Sequence, residues 1–145
     1  MTIIAVRIAT TVYALLITGV VVSAGNGWYR EIFAWVHKGA TDKWMHFLLV
    51  GCLSLLINLS LRCKVMTVSK FSIQFGTLFL LVLTTLEEFS QNFIARRDFD
   101  WFDLLCNLAG VITFGLIAWY VGRLLGLRSA PALVGSESVE PDFSN

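Results

Sequence analysis

Residues Phe71–Val121 read FSIQFGTLFLLVLTTLEEFSQNFIARRDFDWFDLLCNLAGVITFGLIAWYV. Two apolar runs, Phe71–Phe89 and Trp101–Val121, flank a short polar turn. A helix needs about 20 apolar residues to cross the ~30 Å hydrocarbon core of a bilayer. Both runs meet that length, and so short a turn makes them cross in opposite directions. Working outward, Ile3–Val22 and Trp44–Leu61 are two more such runs, the latter short and beginning a little before Trp44. The expected fold class is all-α, an integral membrane bundle of four transmembrane helices.

Composition agrees. The 145 residues are 57% apolar and only 14% charged, against roughly 25% charged in soluble domains. A net charge of +1 leaves no basic stripe for phosphates, so no nucleic-acid partner is expected. Cys52, Cys63 and Cys106 match no zinc spacing and imply no disulfide framework.

The first run has an alternative reading as a signal peptide. Arg7 would be a thin basic region, and Val22-Ser23-Ala24 a poor cleavage site. A retained helix is favoured because the remaining chain is itself membrane. Trp28, Ile32, Trp35 and Val36 share one face of a short stretch near 28–38, which suits a helix lying in the interface. A loop with scattered aromatics is the other reading. Residues 1–127 form the membrane domain, and 128–145, with both prolines and three acids, read as a disordered cytoplasmic tail.

Orientation follows lysine and arginine placement. Arg7, Arg62, Lys64, Lys70, Arg123 and Arg128 lie on one side, and Arg30, Lys38, Lys43, Arg96 and Arg97 on the other. The 62–70 loop is purely basic, whereas the opposite loops are compensated by acids. Both termini are therefore expected in the cytoplasm. Trp28, Trp35, Trp44 and Trp101 then form an outer aromatic belt.

Polar residues stand at helical spacing on the margins of these runs. Asp42 and His46 are at i, i+4, Glu88 and Gln91 at i, i+3, and Asp103 and Asn107 at i, i+4, with Arg97 before them. Residues so spaced share a helix face. An ionisable group in lipid costs about 2.5–3.5 kcal/mol on insertion scales, which makes each a functional candidate. Alternating crossings bring all three margins to the outer face, where they can form one pocket.

Two motifs here resemble those of the VanZ-like membrane proteins. Asp42-Lys43-x-x-His46-Phe47 is similar to the family's D-K-x-x-H-F at a helix start. Glu88-x-x-Gln91, followed by Arg97, Asp103, Asn107 and Gly110, resembles the family's second motif. The likeness covers about residues 42–115. Ala95-Arg96 stand where family members often have Pro-Gly. The resemblance implies a multi-pass protein of the bacterial cell envelope, in a family named for glycopeptide (teicoplanin) resistance. It implies a fold and a setting more than a reaction.

Each candidate also has a purely structural role open to it. Asp42 can cap a helix, and Lys43 can snorkel. His46 can bond a neighbour, transfer a proton or ligate a metal. Glu88 needs a partner, and Arg97 is the expected one, reaching Asp103 too and forming the energetic centre of the pocket. Gln91 and Asn107 can act as interhelical glue. Asp98 and Asp100 are expected to stay solvated, although Asp100 can join the acidic rim. Gly122-x-x-x-Gly126 is a weak signal for oligomerisation through glycine-containing faces.

No G-x-S-x-G, Walker A or H-E-x-x-H is present, and no metal or cofactor is expected. Three functions compete. The first is recognition of membrane lipids, specifically a lipid-linked glycan or phosphate head group. The second is an intramembrane acid–base or metal-assisted hydrolase or transferase, with His46, Glu88 and Asp103 as catalytic candidates. The third is a structural or assembly subunit.

Overall fold

The computed structural model describes residues 3–25, 40–68, 71–93, 99–127 and 132–133. Helix α1 spans Ile3–Gly25, and α2 spans Ala40–Ser60. Strands β1 (Val65–Val68) and β2 (Phe71–Gln74) follow, then α3 (Phe75–Ser90) and a 3-10 turn at Gln91–Phe93. Helix α4 runs Trp101–Leu124, and Ala132–Leu133 form a two-residue strand, β3.

Helices α1, α2 and α4 are long and apolar enough to cross a membrane. The protein is membrane-embedded and mostly helical. Helix α1 is apolar on all sides, and Ile4, Leu15 and Leu16 are more than 60% exposed. Such a surface suits lipid rather than water. Its hydroxyls are satisfied within the helix: Thr10, Thr11 and Thr18 donate to the carbonyls of Val6, Arg7 and Ala14. Tyr13 Oη donates to Leu49 O at 3.2 Å, and Thr10 also reaches Leu56 O at 3.2 Å. The rising number on one helix meets the falling number on the other, so α1 and α2 are antiparallel.

Helices α2 and α4 lie parallel and in close contact. Phe47 meets Gly110, Gly51 meets Phe114, and Cys63 meets Gly122. A methyl group at Gly110 would strike the Phe47 carbonyl oxygen, so only glycine permits this approach. Leu104, Val111 and Ala118 are buried at seven-residue intervals on the same inner face. Helix α3 runs antiparallel to α4, with Thr77 beside Gly115 and Glu88 beside Asp100.

A polar network crosses this core. Ser54 Oγ donates to Val111 O at 2.9 Å, and Asn58 Nδ2 donates to Ser54 O and Thr77 Oγ1, each at 2.9 Å. With its amide nitrogen facing acceptors, Gln74 donates to Asn58 Oδ1 at 3.2 Å and Gly115 O at 3.1 Å. Ser54 and Asn58 are fully buried. Helices α2, α3 and α4 are thus tied by hydrogen bonds in a setting where association gains nothing from excluding water.

Two expectations are corrected. The third apolar run is not one helix from Phe71 to Phe89. Phe71–Gln74 pairs antiparallel with Val65–Val68, Val65 opposite Gln74 and Val68 opposite Phe71. Phe-Ser-Ile-Gln alternates with the period of a strand. Phe75 N then donates to Lys64 O at 2.9 Å, closing the hairpin where α3 begins. The remaining helix has 16 residues, about 24 Å at ~1.5 Å per residue, short of the ~30 Å core. The fold is also not purely helical, since β3 pairs parallel with β1 to give the strand order β2-β1-β3. The turn ending α2 places Arg62 and Cys63 at φ 55° and 51°, and Cys63 N donates to Asn58 O at 2.7 Å. The proposed interfacial helix near 28–38 lies outside the described residues, as does all of the 128–145 tail except Ala132–Leu133.

Candidate functional site

The parallel pairing of α2 and α4 puts two helix N-termini side by side. Asp100 caps α4: its backbone is extended (φ −119°, ψ 115°), and Oδ1 accepts from Phe102 N at 2.7 Å. Lys43, in the first turn of α2, donates to Asp100 Oδ2 and Asp103 Oδ1, each at 2.5 Å. The Lys43 ammonium beside Asp100, with the capping hydrogen bond second, holds that carboxyl below its ordinary value. Lys43 therefore reaches inward across two helices and is not simply a snorkelling residue. Asp100 is likewise an ion-paired cap, although its side chain is still 41% exposed.

One turn deeper, His46 lies between Asp103 and Asn107. Its Nε2 is 3.7 Å from Asp103 Oδ2, and its Nδ1 is 3.3 Å from Asn107 Oδ1. Asn107 is 1% exposed. The i, i+4 spacings of Asp42/His46 and Asp103/Asn107 make this possible, because each pair projects from one face of its own helix. Asp42, His46 and Asp103 each offer a ligand atom, and these atoms lie within 4.8 Å of one another.

Helix α3 contributes from its C-terminal end. Glu88 is 1% exposed. Its Oε2 accepts from Gln91 Nε2 at 3.2 Å, and its Oε1 accepts from the Asp100 backbone N–H at 3.4 Å. A carboxylate facing a helix N-terminus is favoured by the helix dipole. Gln91 Nε2 also reaches Glu87 Oε1 at 3.2 Å. Gln91 therefore bridges two adjacent acids.

Aromatic rings surround this end. Phe99 stacks on Phe89 (centroids 5.2 Å) and meets Trp101 edge-on (4.7 Å). Trp44 packs edge-on to Phe47 (5.9 Å). Trp44 and Trp101 are both 63% exposed at the same end, as members of an interfacial belt would be. Trp28 and Trp35 lie outside the described residues.

The structure thus brings together Asp42, Lys43, His46, Glu88, Gln91, Asp103 and Asn107, and adds Asp100. Arg97, expected to pair with Glu88 and Asp103, lies outside the described residues. Among the described residues Lys43 is the cation of the site, paired with Asp100 and Asp103, and Asp42 and Glu88 add two more carboxyl groups at the same end. The Ser54–Asn58–Thr77–Gln74 network was not anticipated, although Ser54 and Asn58 stand i, i+4 within an apolar run. Cys52, Cys63 and Cys106 form no disulfide.

The chain matches no protein-family model, and no curated protein or solved structure matches it.

Proposed function

We propose that the chain is a VanZ-like, four-crossing protein of the bacterial cytoplasmic membrane, with both termini cytoplasmic. Its polar site faces outward and binds the head group of a lipid-linked envelope component carrying phosphate or sugar. The observation that carries this reading is the meeting of polar side chains from three helices at one end of an otherwise apolar bundle. A helix bundle with only a packing role needs no such set at its margin, since the Ser54–Asn58 network already ties the same helices.

Helix α3 supports the fourth crossing. It begins level with Asn58 and Gly115 and ends level with Asp100. It therefore runs most of the depth that α2 and α4 occupy, and the β-hairpin supplies the remainder at the cytoplasmic boundary. Exposed Trp44 and Trp101 support a polar site just below the outer head groups, because tryptophans favour the interface.

A second reading is catalytic. His46 beside the Asp103 carboxylate is the pairing that general acid–base chemistry uses. Native mass spectrometry of the full chain in detergent, with a polyprenyl phosphate and with phosphatidylglycerol, tests binding. The wild type should retain one polyprenyl phosphate in preference to phosphatidylglycerol, and Glu88→Gln should retain less. Equal retention of both lipids by both proteins would end the head-group reading. Release of inorganic phosphate or of the free lipid alcohol would favour the catalytic one.

A further inference from the structure

We propose that Asp42, His46 and Asp103 form a site for a first-row divalent metal ion such as Mn²⁺ or Zn²⁺. The inference deepens the proposed function, because such an ion is the natural contact for the phosphate of a lipid head group.

Asn107 Oδ1 can only accept, so the 3.3 Å contact assigns the proton to His46 Nδ1. The lone pair of a neutral ring is then on Nε2, which faces Asp103 Oδ2 at 3.7 Å. Two acceptors repel unless something positive lies between them. Lys43 does not fill that role, because its ammonium is engaged with Asp100 Oδ2 and Asp103 Oδ1. The Asp42 carboxylate has no hydrogen-bond donor among the described residues. One ring nitrogen of His46 and one carboxylate oxygen each from Asp42 and Asp103 lie within 4.8 Å of one another, and Nε2 is the nitrogen that faces Asp103.

A tetrahedral metal at ~2.0–2.2 Å from each atom sets them about 3.4 Å apart, so the widest pair must close by roughly 1 Å through side-chain rotation. The buried Asn107 carbonyl does for His46 what outer-shell acceptors do for metal-bound histidines: it fixes the tautomer and aims the other nitrogen. Imidazole with two carboxylates suits manganese or zinc better than magnesium or calcium, which prefer all-oxygen sets. Three protein ligands leave open positions for oxygens of a substrate phosphate. Charge points the same way. Asp42, Glu88, Asp100 and Asp103 gather at this end with Lys43, which is paired to Asp100 and Asp103, so a divalent cation lowers an excess of acidic groups among the described residues.

The competing occupant of the gap is a second proton on His46. Full-length protein in detergent, stripped with EDTA, is titrated with Mn²⁺ and followed by calorimetry and electron paramagnetic resonance. Manganese avoids the free thiols of Cys52 and Cys106. One equivalent of Mn²⁺ should bind per chain, with ¹⁴N coupling from an imidazole, and Zn²⁺ should displace it. Asp103→Asn and His46→Gln should each weaken binding at least tenfold, and Mg²⁺ should compete poorly. The ¹⁴N signal is read on the wild type, so it decides the matter even if a variant fails to fold. Absence of stoichiometric binding, or binding without ¹⁴N coupling, would overturn the proposal. So would an imidazolium resonance for His46 that persists under saturating Mn²⁺. Polyprenyl phosphate binding unchanged by EDTA would refute the ion and leave the head-group reading standing. Stoichiometric, imidazole-bound Mn²⁺ without lipid binding would uphold the ion and refute that reading.

Discussion

Lys43 holds the two long inner helices together at their N-termini. Its ammonium joins Asp103, on the inner face of α4, to the cap of that same helix. The pair is partly exposed, with the lysine side chain at 30%. Its worth should fall between the ~0.2–1 kcal/mol of exposed pairs and the ~3–5 kcal/mol lost on breaking buried ones. Lys43→Met should therefore cost about 1–2 kcal/mol, read by denaturation in detergent. Asp100 sets a pH dependence. Its folded pKa lies below its unfolded value. Its contribution is thus fully present above the unfolded carboxylate value of about 3.9, and it is lost as pH falls through the folded value. Melting temperature should hold from neutral pH to about 5 and drop below about 4. Asp100→Asn keeps a capping oxygen but not the charge. Its melting temperature should fall less steeply over that acid range; identical acid profiles would remove Asp100 from the account.

Among the elements, the pairing of α2 with α4 governs everything at the site, and it depends on glycine. Gly110→Ala would push a methyl group into the Phe47 carbonyl oxygen, which is backbone and cannot rotate away. Overpacking of this kind costs about 1–3 kcal/mol. Gly19→Ala, with nothing within 4 Å of the added carbon, should be neutral or slightly stabilising because alanine is the better helix former. A thermal-stability comparison of the two in one detergent checks both. The helices α1, α2 and α4 were legible because hydropathy over about 20 residues reports lipid contact directly. The start of α3 was not. Phe71 and Ile73 raise the average of any window that contains them, although Ser72 and Gln74 between them give the alternation of a strand. The pairing partner, Val65–Val68, is what selects the strand, and a hydropathy average carries no information about partners.

At the scale of the whole molecule, the convergence of Asp42, His46, Asp103 and Asn107 was legible because i, i+4 spacing fixes a face, and the alternating direction of successive helices fixes an end. The role of Lys43 was not, since its long chain can reach solvent or a neighbouring helix equally well and only the packing of α4 decides. The Ser54–Asn58–Thr77–Gln74 network escaped for a related reason. Ser54 and Asn58 stand i, i+4 and Gln74 and Thr77 i, i+3, but nothing in the sequence says that the two pairs face each other. Orientation rests on the basic end of the bundle. A cysteine at exposed Lys64, in a background lacking the native cysteines, should be labelled only after permeabilisation; labelling in intact cells would invert the topology.

The central claim is that the polar end of the bundle meets a lipid-linked head group at the outer face. It is tested most directly by photo-crosslinking in bacterial membranes containing a radiolabelled polyprenyl phosphate. A benzoylphenylalanine probe is placed at Trp44 or Phe102, beside the site, or at Leu61, at the opposite end. Trp44 and Phe102 probes should capture the labelled lipid, excess unlabelled polyprenyl phosphate should abolish capture, and the Leu61 probe should capture little. Equal labelling at all three positions, or labelling confined to Leu61, would contradict the claim.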